Sequence, residues 1–214
     1  MSIIAKKTAK SSVPPLAADT YTARCIGVVD LGEQRSEKFN KWQHKVLLIF
    51  EVIGEKVDVD GEQKPRWLSN EFTLSLSDKS LLYKTIQTWF NRDLTDAEAG
   101  NGFDLALLLN RPAMLTVGIK EKNDSTFNRI TAITSVPKSI TVPEAESEQI
   151  YFDISEWDEE VFGKLPEWMR NRIKNSAEYQ QRLPQGVENI DITDEQEDEQ
   201  AGEAKKAETP NVPF

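Results

Sequence analysis

The sequence predicts a mainly β protein: a five-stranded antiparallel barrel with a helix between its third and fourth strands, then a small helical unit and a disordered acidic tail. Three observations predict it. Five short segments are rich in β-formers or alternate apolar and polar residues. The period changes to helical spacing once, after the third segment. Beyond Glu188 apolar content collapses and acids dominate.

Residues 1–15 read as a flexible basic arm, with Lys6, Lys7, Lys10 and Pro14-Pro15, serving either as a disordered start or as a grasping arm. The first strand is Tyr21 to Val29, closed by the turn signal Asp30-Leu-Gly32. A polar loop, Glu33 to Lys41, leads to the second strand, Trp42 to Ile53, where Val46, Leu48, Phe50 and Val52 alternate with Lys45, Leu47, Ile49 and Glu51. Glu55 to Lys64, with Asp60-Gly61, is a hairpin turn or a longer loop. The third strand, Arg66 to Ser75, sets Leu68, Phe72 and Leu74 on one face and Trp67, Ser69 and Glu71 on the other.

Ser77 to Asn91 then carries Leu81, Leu82, Ile86, Trp89 and Phe90 at helical spacing, with Ser77 or Asp78 as cap. A second short helix covers Asp104 to Leu109. The fourth strand, Ala113 to Lys120, aligns Leu115, Val117 and Ile119. After an Asn123-Asp124 turn, the fifth, Thr126 to Val136, points Ile130 and Ala132 inward and Phe127 and Arg129 outward. Five antiparallel strands with a helix between the third and fourth are the layout of an OB-type barrel, assigned to residues 16–140.

Residues 141–187 form a linker and helical extension. Pro137 to Gln149 has no period. In the unit from Tyr151 to Gln181, Ser155 caps a short helix bearing Trp157, Val161 and Phe162, and Pro166 opens a longer helix through Gln181. Leu165, Trp168, Met169, Ile173 and Tyr179 are its candidates for packing against the barrel. Residues 188–214 are the acidic tail.

Composition excludes several function classes. Charged residues make up 29% of the chain, the mean hydropathy is −0.53, and no apolar run approaches the roughly 20 residues of a membrane span. No secretory leader is visible near Met1, and the expectation is a cytoplasmic protein. Cys25 and His44 are the only residues of their kinds, so an intrachain disulfide and a Cys/His metal site are excluded, and no cofactor is expected. The net charge of −10 is uneven: residues 1–140 hold 19 Lys/Arg against 17 Asp/Glu, and residues 188–214 hold 2 against 9. Acidity therefore belongs to the C-terminal third, and the barrel's cations are free to cluster on one face.

The candidate binding residues mix cations with aromatic rings, the combination that follows a phosphate backbone while stacking unpaired bases. The first loop and second strand supply Arg35, Lys38, Phe39, Lys41, Trp42 and Lys45. The third strand adds Arg66 and Trp67, and the last two add Lys120, Lys122, Phe127 and Arg129. These elements form the ligand face of an OB barrel. The bland alternative is that Trp42 and Trp67 are rim packing and the lysines a solvated surface. At the other end, Asn211, Val212, Pro213 and Phe214 follow the acids of 194–199, and an isolated Phe gains only by entering a partner's pocket.

Asn211-Val-Pro-Phe214 after an acidic stretch resembles the tail of bacterial-type single-stranded DNA-binding proteins, with Lys205 and Lys206 interrupting the acids here. The resemblance implies docking on replication, recombination and repair enzymes. The body is similar to phage-encoded single-stranded DNA-binding proteins in three segments: Phe72-Thr-Leu-Ser-Leu-Ser-Asp-Lys-Ser-Leu81, Gly102-Phe-Asp-Leu105 to Arg111-Pro112, and Leu165-Pro-Glu-Trp-Met169 to Ser176-Ala-Glu-Tyr179. Its implication is a non-enzymatic protein that coats exposed strands and recruits partners through its tail. A protein-binding adaptor with a DNA-mimicking tail is the rival. A nuclease using Asp58, Asp60 and Glu62, or Asp153, Glu156 and Asp158 to Glu160, stands third, because runs of acids are ordinarily solvated surface.

Overall fold

The strands form where the sequence alternates, but cross-strand pairing carries them beyond it. The computed structural model describes residues 14–36, 40–59, 61–122 and 125–182, with Lys122 described by its backbone alone. The first strand, β1 (Asp19–Ser36), continues through the expected Asp30-Leu-Gly32 turn and into the expected polar loop. Leu31 is an extra residue in the ladder: Asp30 pairs with Val46 and Gly32 with Lys45. The Asp30 carboxylate accepts the Gly32 N–H at 2.8 Å, and Gly32 takes φ of +70°. The turn signal therefore specified a β-bulge rather than a strand end. β2 (Lys41–Val59) and β3 (Glu62–Thr73) form the next hairpin, interrupted between Val52 and Lys56. Asp60 and Asn123-Asp124 of the expected turns lie outside the described residues.

β4 (Pro112–Lys122) and β5 (Ser125–Thr134) complete a five-stranded antiparallel sheet in the order β3-β2-β1-β4-β5. The sheet curls into a nearly closed barrel. At the remaining seam, Arg66 of β3 donates to the Asn128 side-chain oxygen of β5 at 3.1 Å. The N-terminal segment is clipped over the same seam. Asn128 accepts from the Leu16 N–H at 2.7 Å and donates to its carbonyl at 2.9 Å, while Arg66 donates to the Pro14 carbonyl at 3.1 Å.

The core inside the barrel comprises Cys25, Val28, Val46, Leu48, Phe50, Val52, Leu68, Phe72, Leu115, Val117, Ile130 and Ile133. Ala132, expected to face in, is exposed, and Ile133 is buried. A bulge at Thr131, between the pairs Thr116–Ala132 and Val117–Ile130, inverts the facing. Leu74 and Ile119 are exposed. Leu74 falls past the end of β3, and Ile119 lies toward the tip of the β4–β5 hairpin.

α1 (Leu81–Phe90) adds Leu82, Ile86 and Trp89 to this core, and the Trp89 indole donates to the Pro112 carbonyl at 2.8 Å. Its cap is Ser80, not Ser77 or Asp78: the Ser80 hydroxyl accepts from the Tyr83 N–H, while Ser77 closes the preceding turn. α2 (Asp96–Asn101) was not anticipated, although Thr95-Asp-Ala-Glu98 is a capping box in the sequence, reciprocally bonded in the structure. A 3-10 turn, Leu105–Leu108, follows.

A short sixth strand, β6 (Ile150–Phe152), pairs in parallel with Gly27 to Val29 of β1, where the partnership with β4, which spans Asp19 to Arg24, has ended. Three helices follow, α3 (Glu159–Lys164), α4 (Glu167–Lys174) and α5 (Ala177–Arg182). Asp158, rather than Ser155, caps α3; Ser155 is held by Asp153. The helix expected to continue through Gln181 breaks at Asn175-Ser176. There the Ser176 hydroxyl accepts the Tyr179 N–H at 3.2 Å and starts α5. These elements bury a second core on the outer face of β1–β2: Ile26, Val29, Leu31, Leu47 and Ile49 against Phe152, Ile154, Phe162, Leu165, Met169 and Ile173.

Gly32 sits where the two halves meet. A Cβ there would stand 2.8 Å from the Ser176 Cβ and 2.9 Å from Ile154 Cδ1, on a left-handed backbone. Gly32→Ala is therefore expected to destabilise the fold by about 2–4 kcal/mol, combining backbone strain with overpacking. Urea unfolding measures this, and a loss below about 0.5 kcal/mol refutes the tight contact.

Candidate nucleic-acid interface

The β1–β2 hairpin projects the densest group of candidate residues. Its register sets Arg35 opposite Trp42 and Ser36 opposite Lys41. Trp42 is 52% exposed, and Arg35 and Lys41 are also exposed. The Arg35 guanidinium donates to the Asn40 side chain at 3.1 Å; among the described residues neither Arg35 nor Lys41 has a carboxylate within ion-pair distance. Lys38 and Phe39 lie outside the described residues.

The base of this hairpin is stapled to the helical unit. The buried Gln34 amide donates to the Arg172 carbonyl at 3.0 Å, and the Glu33 N–H donates to the Glu178 carboxylate at 2.8 Å. His44 Nε2 stands 2.7 Å from the Asp30 carboxylate, and its Nδ1 3.8 Å from Glu178. Burial pushes the Asp30 carboxyl above its ordinary range, against the opposing pull of the Gly32 N–H bond and of His44.

On the outer face of β2–β3 several candidate side chains are engaged by the chain itself. Lys45 bonds Thr73 at 3.1 Å and lies 3.8 Å from Glu71, which Arg172 of α4 also reaches at 3.3 Å. Trp67 donates its indole N–H to the Ser147 hydroxyl at 2.8 Å. Beside it, the buried Glu51 carboxylate accepts the Glu146 and Ser147 N–H groups, both at 2.8 Å. Trp67 and Tyr151 remain partly exposed in a half-open cleft of about 530 Å³, which Pro65, Glu148, Val161 and Lys164 also line. Trp67 pairs with Glu51, nine residues along β2 from Trp42, a separation of about 30 Å along the strand. The two tryptophans therefore occupy different places.

A third group lies on β4–β5. Lys120 is the cross-strand partner of Phe127, and Arg129 that of Gly118. Phe127 and Arg129 are half-buried, and Arg129 Nε has no hydrogen-bond partner among the described residues. Lys122 pairs with Ser125 through the backbone, and its side chain lies outside the described residues. Arg66 belongs to the barrel seam. Asn211, Val212, Pro213 and Phe214 of the tail lie outside the described residues.

Among the described acids no group is arranged to hold a metal ion. Asp58 caps the β2–β3 turn by accepting the Gly61 N–H, and Asp153 and Asp158 hold local N–H groups. Burial pushes the Cys25 thiol up to about 12, which keeps it protonated at neutral pH. Trp168, expected to pack against the barrel, is instead 52% exposed, because Met169 and Ile173 form the buried side of α4, and the cations of α4 were not among the candidate residues. The four-residue spacings Trp168–Arg172 and Arg170–Lys174 were the available signal. No helix among the described residues is long and apolar enough to cross a membrane.

No protein-family model matches the chain, and no curated protein matches it.

The raised Asp30 carboxyl has a signed consequence. A carboxyl whose folded pKa lies above its unfolded value, ordinarily 3.8, contributes stability below that value and loses it as pH rises through the folded pKa. The stability of wild type relative to Asp30→Asn is therefore expected to fall as pH increases upward from about 4, read by urea midpoints across the acid range. A difference independent of pH refutes the buried-carboxylate account.

Proposed function

We propose that the protein binds single-stranded DNA through an OB-type barrel, without catalysis, in DNA replication or recombination of the phage type. The observation that carries the reading is the exposed β1–β2 hairpin, where Arg35, Lys41 and Trp42 stand together and, among the described residues, neither cation is paired with a carboxylate. Cations of this kind attract the phosphates, and the indole face stacks a base of any identity. Lys120, Phe127 and Arg129 repeat the combination on β4–β5. The sheet order and the nearly closed five-stranded barrel support the OB assignment. Because Ser147 holds the Trp67 indole and Glu71 lies beside Lys45, the hairpins bear the binding load in this reading, and Trp67 and Lys45 contribute less. The acid-rich stretch 188–208 competes weakly with DNA for the cations, and Asn211-Val-Pro-Phe214 docks on replication or recombination enzymes.

The adaptor reading draws on one specific feature, the aromatic cleft of Trp67 and Tyr151 edged by Glu146 and Glu148, which suits a protein segment better than a phosphate chain.

Trp42→Ala is expected to weaken binding to a single-stranded oligonucleotide by about 1–3 kcal/mol and to leave thermal unfolding unchanged, since the ring is exposed. The log of affinity should fall linearly with log salt, with a slope of about −2 to −4 for three to five neutralised phosphates. A flat salt dependence together with an unaffected Trp42→Ala sinks the DNA reading and favours the adaptor. For the tail, deleting residues 188–214 should raise DNA affinity most at low salt, where screening is least. Phe214→Ala should spare DNA binding and abolish partner capture; capture that survives the substitution removes Phe214 from the docking role.

A further inference from the structure

The cleft beside Trp67 carries more negative charge than the residues around it compensate. Glu146 pairs with Lys56 at 2.8 Å and Lys164 with Glu160 at 2.7 Å, so those rim charges are neutralised within the fold. Glu148, exposed on the rim, has no cation within ion-pair distance among the described residues. The same is true of Glu51, the cross-strand partner of Trp67, whose buried carboxylate accepts the N–H groups of Glu146 and Ser147. Those bonds satisfy its oxygens but leave its charge, which burial exposes to less screening than open water gives. Elsewhere the walls are apolar: Pro65, Trp67, Ile150, Tyr151, Val161 and Leu165. The occupant that fits is a segment with aliphatic side chains next to cations.

The chain supplies one. Residues 1–13, outside the described residues, contain Ile3-Ile-Ala-Lys-Lys7 and Lys10, with three Lys/Arg and no Asp/Glu. They join the fold beside the cleft. Leu16 is bonded to Asn128 of β5 and Pro14 to Arg66 of β3, so the chain traced backward crosses the seam toward β3. Arg66 stands between Pro65 and Trp67, both of which line the cleft. Consecutive Cα atoms are about 3.8 Å apart, and the stretch from Pro14 back to Ile4 spans up to about 35 Å, enough to round the edge of β3. Residues 183–214 are the wrong occupant: they hold two Lys/Arg against nine Asp/Glu, and the charges of Glu148 and Glu51 repel them.

We propose that residues 1–10 dock in this cleft of the same chain, with Ile3 and Ile4 against its apolar wall and Lys6 and Lys7 supplying the positive charge that Glu148 and Glu51 lack. Attachment at Pro14 keeps the segment at an effective concentration on the order of millimolar, so modest contacts suffice. The proposal is independent of the DNA-binding reading. It bears on the adaptor reading, because a partner's segment has first to displace the chain's own.

The test uses the full chain without DNA. A carbodiimide, which joins a lysine amine to a carboxylate in contact with it, is expected to link Lys6 or Lys7 to Glu148, located by mass spectrometry. The Lys56–Glu146 link reports that the reagent reaches the cleft. In a mixture of isotope-labelled and unlabelled protein, links within one label support the proposal. Links between labels alone assign the cleft to a second copy and overturn it. A Lys56–Glu146 link with none from Lys6, Lys7 or Lys10 also overturns it and leaves the cleft to a separate partner. Trypsin supplies a readout that needs no reagent, since cleavage after Lys10 tracks the undocked population. Ile3→Ser/Ile4→Ser is expected to speed that cleavage about tenfold, and Glu148→Lys about two- to fivefold. Lys6→Glu/Lys7→Glu should restore slow cleavage in the Glu148→Lys protein. Equal cleavage rates in wild type and both variants overturn the proposal.

Discussion

Burial of β1–β2 on both of its faces is the constraint on which the remaining structure depends. The residues that face into the barrel, such as Val28, Val46, Leu48 and Phe50, meet α1 and the other strands. Those that face out, Ile26, Val29, Leu31, Leu47 and Ile49, have no partner within the barrel and are covered by β6 and the three C-terminal helices. Fully burying one such side chain stabilises by about 1.5–3 kcal/mol, so leaving all five in water would cost about 8–15 kcal/mol. That is comparable with the whole stability of an ordinary domain. The extension is therefore part of the folded unit, and the polar contacts between the two halves follow from it. Glu51 can be buried because backbone N–H groups of Glu146 and Ser147 satisfy its carboxylate.

Irregularities in the ladder make this two-sided packing geometrically feasible. Extra residues at Ile26 and Leu31 turn an apolar side chain outward at each place without breaking β1. Gly27, whose absent Cβ would stand 2.7 Å from Ile49 Cδ1, lets the strands close up beside the first bulge. Arg24 completes the arrangement: its guanidinium donates to the Asn110, Val142 and Pro143 carbonyls and pairs with Glu144, anchoring the segment that leads from the barrel to β6.

The same packing sorts the cations into structural and available ones. Arg24, Lys56, Arg92 and Lys164 pair with carboxylates, and Arg111 stacks over the Phe90 ring at 3.6 Å. Arg35 and Lys41 are left at a hairpin tip that the helical unit braces from below through Gln34 and Glu33. A braced hairpin holds its side chains in fewer arrangements, which lowers the entropy lost when a ligand orders them.

Local sequence by itself determined the elements whose signals are local. Alternation marked five strands, the change of period marked α1 through Leu82, Ile86 and Trp89, and Pro166 marked the start of α4. Local chemistry also identified Arg35, Lys41 and Trp42 as candidate binding residues, because charge and ring type are readable residue by residue. Tertiary structure alone decided which face of each strand was available. Leu47 and Ile49 alternate with Val46 and Leu48 in either case, and nothing local distinguishes an outer face in water from one under a helix. For that reason Trp67 and Lys45 read as open surface, whereas Ser147 and Glu71, distant in sequence, engage them. Bulges have the same origin: the offset at Thr131 that exchanges Ala132 for Ile133 arises from pairing with Thr116 and Val117, which β5 meets only once the barrel has closed.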